Sequence, residues 1–84
     1  MGQFDIRTVA LEPGGTLPYD EESWRGAIVA VENGELELEL SCGRSCFFQA
    51  GDLLWLQGLP LVNLHNRGDE PTVLVSATRN REVR

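Results

Sequence analysis

The chain has 84 residues, 42% of them hydrophobic, with a formal net charge of -6. That is enough for one hydrophobic core and not for two. The acidic balance argues against a nucleic-acid partner, whose phosphate backbone needs a basic patch, and against an anionic membrane surface.

A domain of this length buries only about 60–65% of its unfolded surface. It is marginal alone, and a homodimer is expected. All seven basic residues are Arg, scattered until Arg79, Arg81 and Arg84. No apolar run is long enough to span a bilayer. The start, Met1-Gly2-Gln3-Phe4-Asp5, lacks the regions of a secretion signal, so a cytoplasmic, soluble protein is expected. A mature protein whose signal was trimmed would look the same. Two cysteines, Cys42 and Cys46, do not make a disulfide framework.

In chain order, short β-like runs alternate with turn residues, and no window carries a helical period. Phe4 to Leu11 is the first predicted strand. Pro13-Gly14-Gly15 then turns the chain into a short extended piece, Thr16 to Tyr19. Asp20-Glu21-Glu22-Ser23 reads as an acidic loop. Gly26 to Val31 is an apolar strand, and Asn33-Gly34 after it is the strongest signal for a two-residue type I′ hairpin. Glu35-Leu36-Glu37-Leu38-Glu39-Leu40 alternates strictly, which sends Leu to the core and Glu to water. Further strands are predicted at Cys46 to Gln49, Leu53 to Leu56, Leu61 to Asn66 and Thr72 to Ala77. Residues 79–84 form a polar tail expected to fray. Many short strands with Gly, Pro and Asn punctuation predict one all-β domain over residues 1–84, a small barrel or sandwich.

Four segments together resemble the cupin family: Glu12-Pro13-Gly14-Gly15-Thr16, Val29 to Leu36, Gly51-Asp52-Leu53-Leu54-Trp55-Leu56, and Asn66-Arg67-Gly68-Asp69-Glu70-Pro71. The resemblance covers roughly Leu11 to Ala77. It implies a small single-domain jelly-roll β-barrel with a pocket in its mouth. It also implies where a metal would be held, and there this chain departs from the pattern. Counting from Gly34, the family's Glu position falls at Ala27 and its His-x-His pair around Asp20 to Ser23. Counting from Asn66, the second-motif His falls at Val62. Neither Ala27 nor Val62 offers the nitrogen or carboxylate that a first-row metal wants, so no metal and no cofactor are expected.

Residues near the mouth are the candidates for a ligand pocket. Tyr19, Trp24 and Trp55 can stack on a small molecule. Arg25 can pair with a carboxylate, or with the Glu-rich strand face. Glu22 and its acidic neighbours can reach a cation or act as a base, although a solvated loop is the plainer reading. Val62 marks the pocket wall. His65, the only histidine, alternates with Val62 and points the other way unless a bulge intervenes. Cys42-Gly43-Arg44-Ser45-Cys46 admits a redox pair or half of a zinc site completed by His65. Packing at the strand ends is the simpler account, because Cys42 continues the inward parity of Leu36, Leu38 and Leu40.

The leading expectation is therefore a metal-free domain that binds a small molecule or serves regulation. The first alternative is an atypical isomerase or dioxygenase-like enzyme using Cys42 or Cys46, His65 and a carboxylate from Asp20 to Glu22, which requires these groups to converge. The second is a structural dimerisation domain. Its dimer would form either by exchange of the Phe4 to Leu11 strand or by packing of faces.

Overall fold

Two-residue alternation decides which side of each strand is buried, and it organises the whole chain. The structure, a computed structural model, describes residues 3–80. It contains β1 (Gln3–Leu11), β2 (Thr16–Pro18), α1 (Glu21–Trp24), β3 (Ala27–Asn33), β4 (Glu35–Leu40), β5 (Ser45–Gln49), β6 (Leu53–Trp55), β7 (Leu61–His65) and β8 (Thr72–Asn80). The strands form two antiparallel four-stranded sheets, ordered β1-β8-β3-β6 and β2-β7-β4-β5. The domain is all-β apart from α1. The hydrogen-bonded ladders form two separate sheets, not one closed cylinder.

The inward residues of the two sheets share one core. Val29 and Val31 on β3, Leu74 on β8 and Leu54 on β6 come from the first sheet. Leu36 and Leu38 on β4 and Leu64 on β7 come from the second, with Leu11, Trp24, Ala27 and Leu56 completing the cluster. Removing this apolar surface from water is the main driving force for the fold.

Six of the eight strands lie within one residue of their predicted limits at both ends. Two expectations about connections fail. Asn33-Gly34 is not a hairpin: β3 and β4 lie in different sheets. No non-glycine residue among those described has a positive φ, whereas a type I′ turn needs one at both central positions. The chain instead crosses between sheets at a corner, where Gly34 has φ 80° and a bulge separates Val31 from Asn33. This corner lies hard against the start of β8. The Asn33 side-chain amide donates to the Pro71 carbonyl at 3.0 Å, and the Thr72 hydroxyl donates to the Glu35 carbonyl.

The second correction concerns the acidic loop, which contains a one-turn helix. Asp20 is its N-cap: its carboxylate accepts from the Glu22 amide at 3.2 Å and from the Ser23 hydroxyl at 2.9 Å. The turn is too short to show a helical period in sequence. The last strand also runs further than expected, through Arg79 and Asn80 paired with β1. The rest of the expected fraying tail, residues 81–84, lies outside the described residues.

Asn66 ties three segments together. Its buried side chain donates to the carbonyls of Leu11 at 2.9 Å and Glu70 at 2.8 Å, and accepts from the Gly68 amide at 2.9 Å. Its backbone pairs with Gly14 and Gly15. One residue thereby closes the Glu12–Gly15 turn and the Asn66–Pro71 turn against each other. Asp52 has a comparable role at the start of β6, accepting from the Gln49 amide at 2.8 Å, as expected of a residue that shapes its turn.

Candidate functional site

The edge strand of each sheet leaves a gap beside α1, and the candidate site is there. On β1, Leu11 and Val9 face inward, so alternation sends Arg7 inward as well. Below it, the capped turn of α1 delivers Trp24 into the core, where it is 2% exposed. The Arg7 guanidinium lies over the Trp24 ring, 4.8 Å from its centroid. This is cation–π geometry. A cleft of about 380 Å³ runs between β1 and β2 at this point. Val9, Leu17, Pro18 and Trp24 supply its apolar walls, and Arg7, Asp20 and Ser23 its polar groups. Both Asp20 carboxylate oxygens serve the helix cap. Neither ion pair among the described residues uses Arg7. Arg7 is therefore the single positive group lining the cleft, and it has no carboxylate partner among the described residues.

The expected site residues divide sharply. Tyr19 is half-buried against the core beside β2, and its amide donates to the Val62 carbonyl at 2.9 Å. Burial, then the charges of Glu21 and Asp20, push its phenol pKa up, so it stays protonated at neutral pH. Val62 shares the inward side of β7 with Leu64 and is exposed at the open end. Tyr19, Trp24 and Val62 thus belong to this end of the domain. Glu22 is exposed on α1, and Arg25 is exposed at its C-cap.

Trp55 is a correction. It pairs with Ile28 on the outer face of the first sheet, pointing away from the interior. Its neighbour Leu54 takes the inward place. Arg7 is the residue that sequence reading missed, although the alternation Arg7, Val9, Leu11 carried the signal.

The cysteines and His65 do not meet as the catalytic alternative requires. Cys42 and Cys46 are free and exposed, which also overturns their reading as packed hydrophobes. Cys46 pairs with the inward Leu38, while His65 pairs with the outward Glu37, so the two lie on opposite sides of one sheet. Both His65 ring nitrogens are engaged: Nδ1 lies 2.8 Å from the Thr16 hydroxyl and Nε2 lies 2.7 Å from Glu39. Asn63 also donates to Glu39, at 3.0 Å. These two donors hold the Glu39 carboxyl below the usual carboxylate range, Asn63 contributing most.

The neighbouring Glu37 accepts from Ser45 at 2.7 Å and from Arg67. Those bonds, Ser45 first, lower its pKa despite its burial. The Glu stripe of β4 faces outward as expected, but Glu37 is buried and bonded and the part-exposed Glu39 is bonded as well, instead of both being simply hydrated.

At the positions where the cupin pattern would place metal ligands, the side chains are Ala27, buried in the core, and Val62. The Asp20 to Ser23 segment is spent on α1. No three His, Cys, Asp or Glu groups among the described residues are arranged to hold an ion. This donor set does not fit a transition metal.

No protein-family model matches the chain, and no curated protein matches it in sequence. Among the described residues, no helix is long and apolar enough to cross a membrane. Among solved structures, the chain is similar to the Cupin_2 domain of an XRE family transcriptional regulator from Enterobacter cloacae. The TM-score is 0.65 and the identity 22%, over 95% of this chain and 83% of that one. At that identity the likeness speaks for the architecture alone, and by its architecture this chain is a cupin-fold domain.

Proposed function

We propose that this chain is a metal-free cupin domain that binds a small organic anion with an apolar body and acts in regulation, not catalysis. The observation that carries this reading is Arg7, lying over Trp24 on the wall of an apolar cleft with no carboxylate engaged. A guanidinium offers paired donors to a carboxylate, and the ring beneath it is an apolar seat. The cleft volume of about 380 Å³ falls within the range of small-molecule sites. In this reading the two sheets are the halves of a jelly-roll barrel, and the cleft is its mouth. The free, exposed Cys42 and Cys46 suit a reducing, cytoplasmic setting. The charge of -6 suits a partner other than nucleic acid or membrane. A place within a transcriptional regulator, like that of the Enterobacter cloacae domain, is part of the proposal. So is a homodimer, which a domain this small needs to hide more apolar surface.

The test is calorimetric titration with benzoate, phenylacetate and hexanoate, each against its uncharged amide. Saturable binding of a carboxylate is expected, at least tenfold tighter than its amide and lost in Arg7→Gln but retained in Arg25→Gln. Equal binding of acid and amide, or no saturable heat with any probe, would refute the reading.

A further inference from the structure

The outer faces of the two sheets differ in chemistry. On the second sheet the outward positions of β4 and β7 are Glu35, Glu37, Glu39, Asn63 and His65, and all but Glu35 are tied into side-chain hydrogen bonds. The first sheet has no such cover. One row across all four strands reads Ile6, Ala77, Ile28, Trp55, and the next reads Thr8, Val75, Ala30, Leu53. The eight positions include no charge. Phe4 extends the apolar surface at one end of β1. Phe4, Ile6, Ile28, Leu53 and Trp55 are between 37% and 70% exposed. From typical side-chain areas these five offer roughly 600 Å² of largely apolar surface, at the upper limit for the largest patch on a monomer. With the partly exposed Val73, Val75 and Ala77 between them, the face approaches the roughly 800 Å² per partner of a stable interface. Apart from the Thr8 hydroxyl and the Trp55 indole N–H, the two rows carry no side-chain polar group, so a flat, largely apolar face of the same kind is a fitting cover.

The charges at the ends of the face set the orientation. Arg79 pairs with Phe4 at one end of β8 and is exposed on the outward side. Glu32 lies at the bulge beside Val73 at the other end and is also exposed. If two copies stack with their strands running the same way, Arg79 meets Arg79 and Glu32 meets Glu32. If the two-fold axis crosses the strands, each Arg79 meets the partner's Glu32, twice by symmetry.

We infer that a second copy of this chain covers the outer face of the β1-β8-β3-β6 sheet, with a two-fold axis perpendicular to the strands, so that Arg79 of each protomer faces Glu32 of the other. This rests on the homodimer reading above and adds its face and orientation. Sheets stacked this way keep their strands within about 30° of alignment. The edge of β1 takes no part, so strand exchange is not required.

The test is sedimentation equilibrium of the full chain. Wild type is expected at twice the 9.3 kDa protomer mass at micromolar concentration. Leu53→Glu and Ile6→Glu change side chains that are already exposed, so each is expected to keep the wild-type circular dichroism spectrum while weakening self-association at least 100-fold. Phe47→Glu, on the other sheet, is expected to leave it intact. Glu32→Arg and Arg79→Glu singly are expected to weaken the dimer three- to tenfold, and the double exchange to restore it. A dimer that survives Leu53→Glu and Ile6→Glu with native spectra sinks this interface and leaves the homodimer standing. No rescue in the charge exchange sinks the orientation. A wild-type monomer at 100 µM sinks interface and homodimer together, and leaves the face to a different protein.

Discussion

Replacing Gly34 with Ala tests the inter-sheet corner directly. Gly34 has φ 80°, and a Cβ built there would lie 2.6 Å from the Pro71 carbonyl oxygen and 3.0 Å from the Thr72 Cα. The left-handed backbone alone costs an L-residue about 1–2 kcal/mol, offset by about 0.4–1 kcal/mol from a stiffer unfolded chain. The clash is with backbone, so it cannot be relieved by rotating a side chain. The corner must move away from β8, which loosens the Asn33–Pro71 and Thr72–Glu35 hydrogen bonds, each worth about 1 kcal/mol. The expected loss is about 3 kcal/mol, a large share of the roughly 4–13 kcal/mol a domain of this length has in all. Gly43 is the control. Its φ is 92°, yet a Cβ there meets nothing within 4 Å, so Gly43→Ala should cost only the conformational strain, about 1 kcal/mol. Urea denaturation of the two variants beside wild type isolates the close approach. Equal losses for Gly34→Ala and Gly43→Ala would show that the corner is not packed as described.

Asn66→Ala removes three hydrogen bonds, among them the buried one to the Leu11 carbonyl. A loss of about 3 kcal/mol is expected by chemical denaturation, against less than about 1 kcal/mol for the part-exposed Asn63→Ala. Trp24→Ala should cost about 3–5 kcal/mol by leaving a core cavity, while Trp55→Ala should change the unfolding of dilute protein by less than about 1 kcal/mol. Similar losses for the two tryptophans would contradict their placement on opposite sides of the first sheet. Glu37 has its folded pKa lowered by Ser45 and Arg67, so its contribution to stability is complete above the unfolded carboxylate range and disappears as pH falls through the lower folded value. Thermal melts of Glu37→Gln should therefore show a shallower loss between about pH 5 and pH 3 than wild type. An unchanged acid profile would remove Glu37 from the account.

The sequence made the strands legible because alternation is local: each apolar residue on β4 or β8 reports its own side without reference to any partner. The same rule carried Arg7, since it continues Leu11 and Val9, and it also carried the outward direction of His65 opposite Val62. It could not show that Trp55 lies outward. Leu53-Leu54-Trp55-Leu56 is apolar at every position, and in such a run the phase is settled only by pairing with Ile28 and Val29. The missed helix has a local cause that was visible: Asp20 followed by Glu21 and Glu22 is an N-cap residue before an acidic first turn, but one turn provides no period to detect.

The Asn33-Gly34 corner shows where local reading ends. Asn-Gly favours a tight reversal in an isolated peptide, since it supplies two residues tolerant of positive φ. Here only the Gly uses that freedom. What decides between hairpin and corner is the destination of β3: its apolar residues at Ala27, Val29 and Val31 face the core, and Ile28 and Ala30 face outward. An apolar strand on both sides belongs in the middle of a sheet whose outer face is itself apolar, between β8 and β6. β4, with Glu at alternate positions, fits a sheet with a polar outer face. Pairing β3 to β4 would have set Ile28 and Ala30 in a row with the Glu stripe. The chain separates the two chemistries by sending consecutive strands into different sheets, at the cost of a corner that only a residue without a Cβ can occupy.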